Sequence, residues 1–295
     1  MNKNQKLIII FLALFIFSWL NIHSVFSQNF RSEISLNKDK YLEGEPVWIT
    51  MKVKNIGVAK DSIAWLNEEY VTKSFDLIGQ DGKKKKNYFG EDGYLRMSYT
   101  VFESGEEFNF EIELQQNYGD QYSGRNFSPQ YCFKPGLYSV QNNFKGLLKS
   151  NVLTFIVEKP EGPELEALNT LHKIYQLPDR NNVQILDKEK AYKEFWKKYK
   201  VNTYTELSFY NYSVLAFYSE WESDTSKVEK SKSFIEKYPN SFYLPYFILL
   251  GKEASGRLYD GKTSEIEFLK EIMQNYPDTR AYKEAEKQIK KLEKQ

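Results

Sequence analysis

The chain of 295 residues carries 41 Lys and Arg against 40 Asp and Glu, a formal net charge of +1, which leaves no global field to draw nucleic acid or an anionic membrane. Its 22 Tyr and 21 Phe exclude a disordered tail and require substantial cores, and at ~100–200 residues per domain the length predicts two domains. Cys132 is the single cysteine, so no intramolecular disulfide can form and stability has to come from burial.

Residues 1–27 read as a secretory signal peptide. Lys3 and Lys6 precede a 14-residue apolar run, Leu7 to Leu20, and Val25 and Ser27 occupy the −3 and −1 positions for cleavage after Ser27. The run falls short of the ~20 residues a spanning helix needs, and no Cys follows it for lipid attachment. Removing the leader with its two lysines leaves 268 residues from Gln28, with 39 basic and 40 acidic side chains and a formal charge of −1. No later apolar run approaches a bilayer span, the longest being Tyr243 to Leu250 with Pro245 inside it. The expected address is periplasmic or extracellular, with no stable membrane insertion after cleavage.

From residue 28 to 159 the hydrophobic period is two. Val47 to Lys54 sets Val47, Ile49, Met51 and Val53 on one face and Trp48, Thr50, Lys52 and Lys54 on the other. Phe108 to Leu114 alternates in the same way, and Leu137 to Gln141 and Val152 to Val157 make a closing pair separated by the polar stretch Asn142 to Asn151. Shorter strands are expected at Glu33 to Leu36, Ser62 to Leu66, Ser74 to Ile78 and Tyr94 to Phe102. Turn residues punctuate them at Gly44, Pro46, Gly57, Asp81-Gly82, Asp92-Gly93 and Pro135-Gly136. Short strands with one solvated face describe an antiparallel β-sandwich.

Tyr41-Leu42-Glu43-Gly44-Glu45-Pro46-Val47, with the strand that ends in Lys54-Asn55-Ile56-Gly57, resembles the opening hairpin of bacterial immunoglobulin-like domains. Pro135-Gly136-Leu137-Tyr138-Ser139-Val140 and Ser150 to Val157 are similar to the last two strands of those domains. The resemblance implies an immunoglobulin-like fold over about 130 residues without the antibody-type Cys pair, and it specifies no ligand.

At Pro160-Glu161-Gly162-Pro163 the period changes, and residues 160–163 read as a linker. Pro163 suits a first helical turn, Glu164 and Glu166 complement its dipole, and Leu165, Leu168, Leu171 or His172, and Tyr175 recur at helical spacing. Further helices are expected at about Asp187–Lys200, Thr205–Trp221, Thr225–Lys237, Phe242–Ala254, Ser264–Asn275 and Thr279–Leu292, with Asp187, the capping pair Ser264 and Glu267, and Asp278 as start signals. An internal repeat organises residues 164–295. Phe234-Ile235-Glu236-Lys237-Tyr238-Pro239-Asn240-Ser241 matches Ile272-Met273-Gln274-Asn275-Tyr276-Pro277-Asp278-Thr279 at a period of 38, and Phe195-Trp196-Lys197-Lys198-Tyr199 is a weaker copy 39 residues upstream of Tyr238. Pro stops each helix and Asn-Ser or Asp-Thr starts the next. This resembles tetratricopeptide-like helical hairpins of bacterial envelope proteins, with a period above the usual ~34 and no Trp-Leu-Gly element. The fold class expected is thus multidomain, all-β followed by all-α.

No catalytic set assembles in sequence. His172 is the only mature histidine, since His23 lies in the leader, and a general-base or metal role competes with a plain helix-face position beside Leu165 and Leu168. One His and one Cys cannot build a nitrogen- or sulfur-ligated zinc site, and no Gly-x-Ser-x-Gly elbow occurs. Cys132, between Tyr131 and Phe133, reads as a buried small hydrophobe. Glu43, Glu45, Asp81, Glu91 and Asp92 match no calcium-loop spacing, so turn chemistry accounts for them. Lys83 to Lys86 reads as the solvated tip of a hairpin, and the aromatic run Phe209 to Tyr218 as a helix packed between repeats.

No catalytic, cofactor-binding or metal residue is expected, and no nucleic-acid partner. The reading that follows is an exported, non-enzymatic protein-binding or scaffolding protein of the cell envelope, its partner a protein or peptide. Two others stand beside it: a carbohydrate-active or hydrolytic enzyme whose carboxylates converge only in three dimensions, and a proteinase inhibitor by fold analogy.

Overall fold

The computed structural model describes residues 29–64, 66, 71–85, 99–118, 133–144, 148–178, 182–218 and 223–293. The leader expected at 1–27, Cys132, Lys86, Glu91 and Asp92 lie outside them. The chain separates into two compact units, the first ending at Lys159 and the second continuing from Pro160. Among the described residues the first is built of β sheets, mostly antiparallel, and the second is helical, with seven helices.

In the β unit, β1 (Phe30–Leu36), β3 (Trp48–Asn55) and β7 (Glu107–Glu113) form one antiparallel sheet in the order β1-β3-β7. The alternation of β3 puts Ile49, Met51 and Val53 wholly inside, with Met51 opposite Ile34 and Phe110. β1 starts earlier than its apolar pattern suggests, because Ser32 takes an inward position between Phe30 and Ile34.

The second sheet has the order β2 (Lys40–Leu42), β9 (Leu148–Glu158), β8 (Gly136–Phe144) and β5 (Phe75–Ile78), and β4 (Asp61–Ala64) pairs with β6 (Tyr99–Phe102). Its β2–β9 pair is parallel, a departure from a purely antiparallel arrangement. Three residues are too few to show a period. Tyr41 holds β2 in place, buried edge-to-face on Phe155 with centroids 5.7 Å apart. Gly44, at φ +88°, turns the chain out of β2, and Glu45 N–H donates to the Leu42 carbonyl.

β8 and β9 both run into the polar stretch expected to separate them. Asn142 stays inside because its amide Nδ2 donates to Ser74 Oγ at 2.6 Å and its N–H to Ser150 Oγ at 2.9 Å. Gln141 faces Val152 and Asn143 faces Lys149, so two residues of β9, Ser150 and Asn151, oppose Asn142 alone. This β-bulge re-aims the Asn151 side chain. One hydrophobic cluster, including Tyr41, Met51, Phe75, Phe102, Ile112 and Phe155, joins the sheets.

The helices are α1 (Gly162–Gln176), α2 (Asn182–Lys198), α3 (Thr205–Tyr218), α4 (Asp224–Lys237), α5 (Leu244–Leu258), α6 (Gly261–Asn275) and α7 (Arg280–Glu293). α1 begins inside the segment expected as linker, with Pro163 in its first turn, and buries Ala167, Leu168, Leu171 and Ile174; Leu165, His172 and Tyr175 are half-buried at the edge of that stripe. α6 begins one turn before Ser264. That hydroxyl therefore does not head a capping box but accepts the Asp260 N–H at 3.0 Å from within the first turn. Asp278 takes a left-handed conformation, φ +62°, and the cap of α7 is Thr279, whose Oγ1 accepts from Tyr282 N–H at 3.3 Å.

The repeated segments fold alike. Tyr199, Tyr238 and Tyr276 N–H each close on the carbonyl four residues back, at 2.8, 2.8 and 3.0 Å. Thr205 and Thr279 hydroxyls donate to the Tyr199 and Tyr276 carbonyls at 2.7 and 2.6 Å. Consecutive repeats also touch through these turns: Pro239 O and Asn240 Oδ1 accept the Ala281 and Arg280 N–H groups, at 3.0 and 3.1 Å, at the start of α7. That contact satisfies two of the four donors a helix start leaves open.

The α4–α5 hairpin is closed at one end by Arg257, whose Nε and Nη2 lie 3.1 and 2.9 Å from Asp224 Oδ1. The hydrogen bond from Arg257 holds the Asp224 carboxyl below the usual range; slight burial opposes this, and the charges of Arg257 and Lys227 add to it. A carboxyl with a depressed folded pKa contributes stability above its unfolded pKa and loses it as pH falls through the folded value. Thermal stability is therefore expected to drop on acidification below about pH 4, the ordinary Asp range. Asp224 is largely solvent-screened, so its share is under about 1 kcal/mol. Asp224→Asn, followed by thermal melts across pH, is expected to flatten that part of the acid limb.

Candidate interaction surfaces

α2 presents its outer face to solvent. Tyr192 and Phe195 are buried, and so is Lys188, whose Nζ donates to the Leu177 carbonyl at 3.2 Å beyond the end of α1. Val183 and Leu186, near the start of α2, are 69% and 63% exposed. A groove of about 620 Å³ follows this face, lined by Leu186, Trp196 and the charged residues Glu189, Lys190, Lys193, Glu194, Lys197 and Lys200.

Trp196 is anchored from behind. Its indole N–H donates to Ser208 Oγ at 2.8 Å, and its ring stacks on Phe209 at 4.9 Å and meets Tyr212 edge-on at 5.2 Å. α3 therefore fixes the ring that α2 offers to the groove. Lys193 pairs with Glu189 and Lys197 with Glu194, both at 2.7 Å. Burial alone would raise Glu189; hydrogen bonds from Lys193 and Tyr212, with the charges of Lys193 and Lys230, outweigh it and hold the carboxyl low. With both acids ion-paired, Lys190 and Lys200 leave the lining two positive charges in excess.

In the β unit a second groove, about 710 Å³, lies along the outer edge of β1 and the start of β9, lined by residues 30–34, 148–151 and Ile56. Asn151 spans it at one point. Its Oδ1 accepts the Ile34 N–H at 2.8 Å and its Nδ2 donates to the Ile34 carbonyl at 3.0 Å.

The residues weighed in sequence fall elsewhere and do not converge. His172 lies on α1. Glu43 pairs with Lys134 Nζ at 3.0 Å, Glu45 Oε2 accepts the Leu42 N–H at 3.0 Å, and Asp81 Oδ1 accepts the Lys83 N–H at 3.1 Å. All three acids thus brace turns. Lys83, Lys84 and Lys85 follow the Asp81-Gly82 turn after β5, and Lys84 pairs with Asp76. Phe209 and Tyr210 of α3 pack on Phe234, Phe247 and Tyr243. Among the described residues no group of three or more His, Cys, Asp and Glu could hold a metal ion, and no helix is long and apolar enough to cross a membrane.

The exposed apolar start of α2 and the Asn151 clamp are absent from the sequence reading. The available signal for the first was Val183 and Leu186, apolar residues just ahead of the expected helix and its lysines. Nothing local marks the second, because Asn151 lies 117 positions from Ile34.

No family model and no curated protein matches the chain. Among solved structures, a β-glucosidase from Listeria innocua in complex with isofagomine is 16% identical with a TM-score of 0.26, over 44% of this chain and 16% of that one. Spo0M, the sporulation control protein from Bacillus subtilis, is 18% identical with a TM-score of 0.22, over 50% of this chain and 56% of that one. The chain spans less than two thirds of the length of either, and likenesses this distant carry no argument about fold or function.

Proposed function

We propose that the chain is an exported, non-enzymatic binding or scaffolding protein of the bacterial cell envelope, in which an immunoglobulin-like sandwich precedes tetratricopeptide-like helical hairpins. The observation that carries this reading is the α2 groove: an anchored Trp196 and an exposed Leu186 ringed by lysines, with two positive charges in excess. Trp held rigid at the centre of a polar rim is the pattern of an interface hot spot. The lysine excess selects an acidic segment and speeds its encounter, while the apolar anchors give affinity. Two core sheets of alternating strands support the sandwich reading, and three helices that end alike at Tyr199, Tyr238 and Tyr276 support the repeat reading.

Crosslinking in whole cells followed by mass spectrometry tests this. A reproducible envelope partner is expected, joined through α2, and the recovered protein is expected to start at Gln28. The double variant Lys190→Glu/Lys200→Glu is expected to cut recovery of that partner at least tenfold, since opposing charges at a desolvated rim cost ~1–2 kcal/mol. No reproducible partner, or one indifferent to the charge reversal, would count against the reading.

A further inference from the structure

We propose that the exposed face of α2 takes an amphipathic α-helix of the partner, packed antiparallel to α2, acidic through its first turns and apolar in its last. This rests on the α2 reading and sharpens it, by naming the shape and direction of what binds.

The exposed row on α2 has the spacing of a helix-pairing seam. Val183, Leu186, Lys190, Lys193 and Lys197 follow one another at alternating steps of three and four, and all five are exposed. Tyr192, Phe195 and Tyr199 are buried on the opposite side, against the rest of the helical unit. Alternating steps of three and four are the heptad spacing that keeps a second helix in contact over several turns. At 1.5 Å per residue the row runs for about 21 Å. It is graded along its length, apolar at the start of α2 and basic toward the end, with Lys190 and Lys200 supplying the charge in excess.

This gradient selects the occupant. A helix offers no main-chain edge, because its N–H and C=O groups bond within it. An extended segment laid on α2 would leave its own backbone unpaired, whereas a helix brings its backbone already satisfied. The basic end calls for carboxylates and the Val183–Leu186 end for apolar side chains. Carboxylates are favoured in the first turns of a helix, so the acidic end of the bound helix is its N-terminal one. Placed beside the basic C-terminal end of α2, that helix runs antiparallel, which also opposes the two macrodipoles favourably. A second copy offering its own α2 would set lysines against lysines, or against Val183 and Leu186. A lipid layer is disfavoured because Trp196 is tied back by Ser208 and Phe209 and is not free to turn outward.

The probe is a fluorophore-labelled synthetic peptide of about six helical turns, titrated into the purified protein. One face carries glutamates through the early turns and leucines in the last turns. Saturable binding is expected, with a rise in peptide helicity by circular dichroism. A peptide of the same composition with the pattern reversed, and one with proline at its centre, are each expected to bind about tenfold or more weaker. Lys190→Glu/Lys200→Glu is expected to weaken the parent peptide about tenfold or more and to leave its glutamine analogue unaffected. The peptide comparisons need no variant and decide the matter even if the double variant misfolds. No saturation by about 1 mM overturns the proposal, as does equal binding of the proline or reversed peptide. If an envelope partner were still crosslinked through α2, the proposed function would stand and the antiparallel helix alone would fall. Adsorption to phosphatidylglycerol vesicles that the double variant abolishes also overturns it, by assigning the face to a membrane.

Discussion

Phe247→Ala is expected to cost about 3–5 kcal/mol, enough to unfold much of the helical unit at ordinary temperature. Phe247 on α5 is fully buried, and its ring lies 3.7 Å from that of Phe234 on α4 with only 13° between the planes. Phe209 of α3 approaches the pair from the other side, 5.6 Å from Phe234 and 6.1 Å from Phe247. Three helices therefore share this one aromatic cluster. Truncation to alanine removes the transfer free energy of the ring and leaves a cavity whose walls are rigid rings on different helices, so collapse around it is poor. Urea titration followed by helical circular dichroism measures the loss, and Phe247→Leu, which keeps much of the volume, is expected to lose less. An alanine variant within 1 kcal/mol of the parent would mean that the cluster can relax.

This cluster was legible in the chain only in part. Phe209 to Tyr218 announced a buried helix, and the repeated Tyr-Pro segments announced paired helices and their turns. That Phe234 stacks on Phe247 depends on how α4 and α5 cross, which no period within either helix records. The β unit shows the same division. Ile49, Met51 and Val53 of β3 are flanked by strands on both sides, so their alternation is clean and the strand is found within a residue. β1 and β9 carry polar residues at inward positions, Ser32 and Ser150, and their period is broken where the bulge lies. A polar residue satisfied inside a fold looks, in sequence, like one exposed to water. The grooves were less legible still. Lys190 and Lys200 are unremarkable in a lysine-rich chain, and they acquire meaning only beside Trp196, whose exposure α3 sets. The Asn151 clamp on β1 depends on an amide 117 residues away in the chain.

Gly251→Ala is expected to destabilise the helical unit by about 1–3 kcal/mol, although alanine is intrinsically the better helix former by ~1 kcal/mol. Gly251 lies in the middle of α5 and is buried. A Cβ there would stand 2.3 Å from Phe268 Cζ on α6 and 2.8 Å from Ser231 Cβ on α4. Ser231 is fully buried and Phe268 nearly so. Neither neighbour is a flexible chain end: one is a ring atom, the other a carbon attached directly to backbone. Both helices would have to move away from α5, losing packing along their whole contact. Valine at the same position adds two carbons and is expected to exceed the alanine cost. Gly256, five residues on in the same helix, supplies the comparison. Its added Cβ would also meet an atom at 2.8 Å, but that atom is Cγ of Glu265, on a long side chain able to swing aside. There the helix-propensity term wins, and Gly256→Ala is expected to be neutral or stabilising by up to ~1 kcal/mol. Urea midpoints for the two alanine variants measured together separate the effects. If Gly251→Ala matched Gly256→Ala, α4 and α6 would not close on α5 at this glycine, and the repeat packing would be looser than described.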